Sequence, residues 1–116
     1  MENRDPGRAF AALSPDVVFN SPVSFKPFEG RDTVAEVLGN VLEVFEDFRY
    51  VAELPGPDVH GLLFEARVGD RQVQGIDLFR TGDDGLIAEL TVMLRPASAV
   101  MAMGEAMAPR VAHLAK

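Results

Sequence analysis

Cysteine is absent from the 116 residues. That excludes a disulfide framework and any thiolate-ligated zinc or iron–sulfur site, so the fold has to stand on packing alone. Basic residues are few: 11 Lys and Arg against 18 Asp and Glu leave a net charge of −7. Such a chain repels phosphate backbones and anionic lipid surfaces, and neither nucleic acid nor membrane is expected as a partner. No stretch approaches the roughly 18 apolar residues of a membrane span. The start, Met1-Glu2-Asn3-Arg4-Asp5-Pro6-Gly7, has no apolar signal region. A soluble, cytoplasmic protein is expected. Histidine is scarce, and His60 and His113 share no helical or strand spacing. With no calcium-loop pattern either, no metal and no other cofactor are expected. A Gly-rich phosphate loop is missing, and no serine sits between glycines, which argues against nucleotide binding and serine hydrolysis. Internal repeats and low-complexity tracts do not occur.

What is present fits one domain over residues 1–116, with 47% hydrophobic and 25% charged positions. Surface scaling lets a chain of this size bury about two-thirds of its unfolded surface, enough for a core without staples. Residues 8–13, Arg-Ala-Phe-Ala-Ala-Leu, suggest a short helix before Ser14-Pro15. Val17 to Asn20 reads as a short strand, paired with Ser24 to Phe28. From Arg31 to Phe45, apolar residues at Val34, Val37, Leu38, Val41, Leu42 and Phe45 have the spacing of an amphipathic helix. It starts either at a Thr33-x-x-Glu36 capping box or at Gly30. Four strand-like runs follow, Phe48–Leu54, His60–Val68, Gln72–Arg80 and Leu86–Arg95, joined by short Gly-, Pro- and Asp-rich turns. Short connections predict an antiparallel meander. The tail from Ala97 to Lys116 favours one helix or two, with Pro109 the breaking point. Helices before and after a run of antiparallel strands make this an α+β domain, a helix covering one sheet face.

Side chains alternate across a strand, which sorts them into faces. In the third run Val73, Gly75, Asp77 and Phe79 share a face; in the second, His60, Leu62, Phe64, Ala66 and Val68 do. In the fourth, Leu86, Ala88, Leu90, Val92 and Leu94 form an apolar row. This is the face expected to lie under the helix, and Asp77 sits among apolar company there. The opposite face carries Leu63, Ile76, Leu78, Ile87 and Met93, more apolar than a fully wet sheet surface needs. A homodimer through that outer face is the simplest cover; scattered surface apolarity is the alternative.

Two local patterns carry a resemblance. The first is Asp16-Val17-Val18-Phe19-Asn20-Ser21-Pro22, then Phe28-Glu29-Gly30-Arg31-Asp32 leading into the helix. The second is Gly75-Ile76-Asp77-Leu78-Phe79-Arg80, then Asp84-Gly85-Leu86-Ile87-Ala88-Glu89-Leu90. At this spacing, over about residues 9–108, the chain resembles the SnoaL-like branch of the nuclear transport factor 2-like superfamily, which includes ketosteroid isomerases and polyketide cyclases. The resemblance implies a cone-shaped, bent antiparallel sheet wrapped around a long helix, with an apolar pocket and, here, a shortened N-terminal helix. Asp77 matches the position of the oxyanion-hole aspartic acid of ketosteroid isomerases, which its apolar site keeps protonated. The general-base aspartate of those enzymes falls on Ser21. Their phenol donor lies on a first helix that is mostly missing here, and the sole tyrosine, Tyr50, is in another element. The acidic residue that cyclases carry on the last strand falls near Val92.

A carboxyl among apolar neighbours loses hydration of its charged form, so its pKa rises and it persists as a neutral donor or a tuned base. In the other reading, Asp77 is satisfied by a buried hydroxyl, an amide or water and only shapes the pocket floor. His60 either pairs with Asp77 across neighbouring strands or lies at the rim, the rim being favoured by the adjacent Pro57-Asp58. Asn20 offers a polar group at the pocket mouth or ends a strand in a turn. Met101, Met103 and Met107 read first as core fillers. The expected ligand is an apolar, ring-containing small molecule, held by His60, Leu62, Phe64, Phe79, Leu90, Val92, Leu94 and Asn20, with Asp77 addressing one of its polar atoms. Proton transfer next to a carbonyl is the matching chemistry; the rival is a non-catalytic dimeric binding module.

Overall fold

A computed structural model of the chain describes residues 12–114. Strand β1 (Leu13–Asn20) and a two-residue β2 (Phe28–Glu29) lead into helix α1 (Arg31–Val44). A meander of β3 (Glu46–Leu54), β4 (Val59–Val68), β5 (Arg71–Thr81) and β6 (Ile87–Arg95) follows, then α2 (Ala97–Val111) and a 3-10 turn, Ala112–Leu114. The short helix expected over 8–13 lies outside the described residues as far as 11, and Leu13 already belongs to β1.

The six strands form one sheet in the order β2-β1-β6-β5-β4-β3. The meander is antiparallel throughout, while β1 runs parallel to β6 and makes the sheet mixed. Register shifts interrupt the β1–β6, β3–β4 and β5–β6 pairs. An extra residue on one strand bends it and sharpens its twist, which curls the sheet into a cone. At the β5–β6 shift, Arg80 faces Glu89 but Thr81 faces Ile87, leaving Ala88 as the extra residue. Alternation therefore resets, and Ile87, expected on the outer face, packs against the core.

Helix α1 starts at Gly30, whose φ of +95° is a region that favours glycine. Its N–H donates to the Val17 carbonyl at 2.9 Å, tying the helix start to β1. No side-chain hydrogen bond caps the helix, so of the two expected starts the structure has the one at Gly30. Val34 and Val37 are buried, each worth roughly 1.5–3 kcal/mol of transfer free energy. The helix packs on β1 and on α2, and α2 packs on β4, β5 and β6. The tail is one helix, with Pro109 in its last turns, where few bonds remain to be broken, and the chain then tightens into the 3-10 turn. Ala99, Met103 and Met107 recur every four residues as its buried row, while Met101 points away at 66% exposure. Arg110 Nη1 donates to Asn40 Oδ1 at 3.0 Å and to Glu43 Oε1 at 2.6 Å, holding α2 against α1. Among the described residues no helix is long and apolar enough to cross a membrane.

Candidate functional site

Curling the sheet around α1 leaves space that side chains do not fill. A cavity of about 360 Å³ lies between the inner sheet face and the two helices. The α1 stripe Val37, Leu38, Val41 and Leu42 forms one wall, and Met103, Gly104 and Met107 of α2 another. Leu90, Val92 and Leu94 of β6 line the sheet side, and Ser21 to Ser24 border the cavity from the loop after β1. Phe45, Phe48, Tyr50 and Phe64 pack together on the side of β3 and β4: Phe48 stacks on Phe64 with centroids 4.9 Å apart, and Tyr50 meets Phe48 edge-on at 5.0 Å.

Asp77 opens into this space from the middle of β5, opposite Leu62 on β4 and Val92 on β6. Both neighbours are aliphatic and offer its carboxyl no hydrogen bond. The Tyr50 hydroxyl donates to Asp77 Oδ2 across the intervening strand at 3.4 Å, a long bond. Burial pushes the Asp77 carboxyl up to about 7, against a smaller lowering by the Tyr50 hydrogen bond. Near neutral pH the group therefore exists both as a neutral donor and as a carboxylate. Among the described lining residues, Asp77 carries the one carboxyl and Tyr50 the one phenol, with no Lys, Arg or His beside them.

Gly75 makes room for the aromatic side of the cavity. A Cβ there would collide with the Phe64 ring and come within 2.7 Å of Leu94 Cδ2 and 2.9 Å of the Met93 carbonyl oxygen. Glycine thus leaves room over β5 for the tip of the Phe64 ring, which supports Phe48 and, through it, Tyr50.

Of the residues singled out in the sequence, Asp77, Phe64, Phe79, Leu90, Val92 and Leu94 line the cavity. His60, Leu62 and Asn20 are not among its lining residues. His60 shares the inner face but sits at the rim, its Nε2 2.8 Å from Glu53 Oε2, with no pairing to Asp77. Leu62 borders Asp77 in register without reaching the open space. Asn20 alternates with the buried Val17 and Phe19 and so turns outward, where its Nδ2 donates to Glu89 Oε2 and Thr91 Oγ1, both at 2.9 Å. Tyr50 joins the site from β3, an element different from the one that the resemblance expects to supply a phenol. The alternation of Phe48 and Tyr50 was the available signal, and the helical stripe of α1 was the signal for the opposite wall. Ser21 borders the cavity, but its Oγ accepts the Val23 N–H at 3.1 Å in a local turn. Among the described residues no group of three or more His, Cys, Asp or Glu is placed to hold a metal ion.

Comparison with known proteins agrees with this fold. A family model described as a SnoaL-like domain matches residues 1–90. A steroid delta-isomerase from Pseudomonas aeruginosa is 43% identical, with a TM-score of 0.88 over 97% of this chain and 84% of that one. An uncharacterized protein with a cystatin-like fold from Silicibacter pomeroyi DSS-3 is 38% identical, with a TM-score of 0.89 over 93% of this chain and 77% of that one. An NTF2-like protein of unknown function from Mesorhizobium loti, 17% identical with a TM-score of 0.69 over 79% of each chain, shares the fold. No match was found among curated proteins.

Proposed function

The chain belongs to the SnoaL-like family of the nuclear transport factor 2-like fold, and on that premise we propose that it binds an apolar, ring-containing small molecule through one oxygen atom, which Asp77 and Tyr50 address together. The observation that carries this reading is a single carboxyl, held near neutrality by burial, in the wall of an otherwise apolar cavity beside a phenol. Sites of this kind bury most of a ligand against apolar walls and orient it with a few placed polar groups. In its neutral form Asp77 donates to a carbonyl oxygen, and the Tyr50 hydroxyl is close enough to share that task.

Such a pair stabilises the negative charge that grows on a carbonyl oxygen when a proton leaves the neighbouring carbon. The identity to a steroid delta-isomerase supports this proton-transfer chemistry. In the alternative assignment Tyr50 alone donates to the oxygen, and Asp77 in its ionised form is a base of suitable strength to take a proton from carbon and return it elsewhere on the ligand. A non-catalytic binding module of the same fold is the second reading. It is favoured by Ser21, which stands where the resembling isomerases carry their general base and whose hydroxyl already accepts from Val23.

The test is hydrogen exchange at the carbon next to the carbonyl of a cyclic aryl ketone, 1-tetralone, in deuterated water, with binding followed in parallel by thermal shift. Accelerated exchange that Asp77→Asn abolishes supports catalysis. Binding without exchange supports the non-catalytic module, and no binding of the ketone contradicts both.

We also propose a homodimer through the outer sheet face. Leu54, Ile76 and Leu78 converge there over Gly61, where a Cβ would meet all three at 3.4–3.5 Å. Beside them a groove of about 220 Å³ runs past Leu63, Ile76 and Met93, and Met93 is 55% exposed. An apolar patch of this kind is buried most simply by two-fold symmetry.

A further inference from the structure

We propose that the cavity also accepts an organic ammonium ion, a tertiary or quaternary amine on an apolar frame, with the Asp77 carboxylate as its counter-ion. The inference rests on the charge and aromatic content of the cavity and is independent of the proton-transfer reading.

Charge is the first support. No Lys, Arg or His is found among the described residues that line the cavity, so the ionised Asp77 has no cation of its own there. The titratable and charged groups facing it can be named element by element. From β3 it is the Tyr50 phenol; from β4 the residue opposite is Leu62, and His60 beyond it is engaged with Glu53 at the rim. From β6 it is Val92, with Glu89 turned outward to Asn20, and α1 and α2 present only apolar side chains to the cavity. A buried carboxylate left in this state is costly, and a cationic partner offsets that cost. The chain's net charge of −7 also raises the local concentration of cations.

Aromatic content is the second. Phe45, Phe48, Tyr50 and Phe64 form one continuous cluster at the cavity, and Phe79 lies two residues from Asp77 on the same face of β5. Ring faces attract cations electrostatically, most strongly where water is excluded. Hydrogen-bond supply narrows the class further. A primary ammonium brings three N–H donors, and the described side-chain acceptors that line the cavity are the Asp77 carboxylate, the Tyr50 oxygen and the Ser21 and Ser24 hydroxyls of the loop after β1, both already engaged in local turns. A tertiary ammonium brings one donor and a quaternary ion none, so alkyl groups, not N–H groups, meet the apolar wall.

A proton and such a cation compete for the same carboxylate. Binding of a permanently charged ion therefore releases the Asp77 proton on the acid side of its titration, and affinity rises there by up to tenfold per pH unit.

The experiment uses the full chain and two probes of equal shape, phenyltrimethylammonium and its uncharged counterpart tert-butylbenzene. Thermal shift and calorimetry at pH 5.5 and 8.5 compare them on the natural chain and on Asp77→Asn. The expected result is tighter binding of phenyltrimethylammonium at pH 8.5 than at pH 5.5, by at least tenfold. Asp77→Asn is expected to remove that preference, and tert-butylbenzene to bind with no dependence on pH. Equal affinity for the two probes at pH 8.5, an ammonium affinity that Asp77→Asn leaves unchanged, or no ammonium binding would each overturn the proposal. The probe pair decides the matter even where the variant does not fold. Because 1-tetralone is uncharged, its binding tests the oxygen-ligand reading separately.

Discussion

The hydroxyl of Tyr50 lies 3.4 Å from Oδ2 of Asp77, reaching it from β3 across β4 to β5. The register explains the reach: Tyr50 pairs with Phe64, Phe64 pairs with the side-chain-free Gly75, and Asp77 is two residues farther along the same face. A phenol and a carboxyl from strands that are not neighbours thus meet inside an apolar wall, and the functional reading is built on that meeting.

Removing the phenol oxygen tests the pair. In Tyr50→Phe the lowering hydrogen bond is lost and Asp77 should titrate above its natural value. Affinity for 1-tetralone should fall by about tenfold, the equivalent of one hydrogen bond of roughly 1.4 kcal/mol. Carboxyl-carbon NMR of Asp77 and calorimetry read the two effects.

Stability should depend on pH through Asp77 with a defined sign. The folded-state pKa is raised to about 7, so between the unfolded value near 4 and about 7 the native state holds a proton that the unfolded chain has released. Asp77 therefore contributes stability that is fully present below about pH 4 and is lost as pH rises through 7, with a slope of at most about 1.4 kcal/mol per unit. Urea unfolding of Asp77→Asn should show this slope removed, and the variant more stable than the natural chain at pH 8.

Gly75→Ala should destabilise the fold by about 1–3 kcal/mol, the usual cost of forcing atoms into a packed region, because the added Cβ collides with the Phe64 ring. Truncation of that ring in Gly75→Ala/Phe64→Leu should recover part of the loss. Denaturant midpoints of the single and double variants measure it.

On the outer face, Ile76→Asp or Leu78→Asp should shift the chain from dimer to monomer in sedimentation at micromolar concentration. A monomeric natural chain under the same conditions contradicts the proposed dimer.

His60→Ala should leave the affinity for either probe class unchanged within about twofold, since an exposed pair such as His60 with Glu53 contributes on the order of 0–1 kcal/mol and does not border the cavity. Calorimetry with 1-tetralone checks this.

Much of this was legible in the residues. Alternation alone placed Asp77, Phe64, Phe79, Val92 and Leu94 on the inner face, and the spacing of Val34, Val37, Leu38 and Val41 identified α1. What alternation misses is where it is broken. The extra residue at Ala88 turns Ile87 inward, and the shift between Tyr50 and Ala52 hides which β3 side chains face the cavity. Asn20 and His60 stand outside the cavity lining for another reason. Each has polar partners on a neighbouring strand, Glu89 and Thr91 for the first and Glu53 across a turn for the second, and only the folded pairing of strands reveals them.

The most direct test of the central claim is the titration of the Asp77 carboxyl carbon, followed by NMR in the free protein and again with 1-tetralone bound. The account predicts a midpoint near 7 that moves upward on binding, because the ligand oxygen accepts from the neutral acid. A midpoint near 4, insensitive to the ketone, would contradict it.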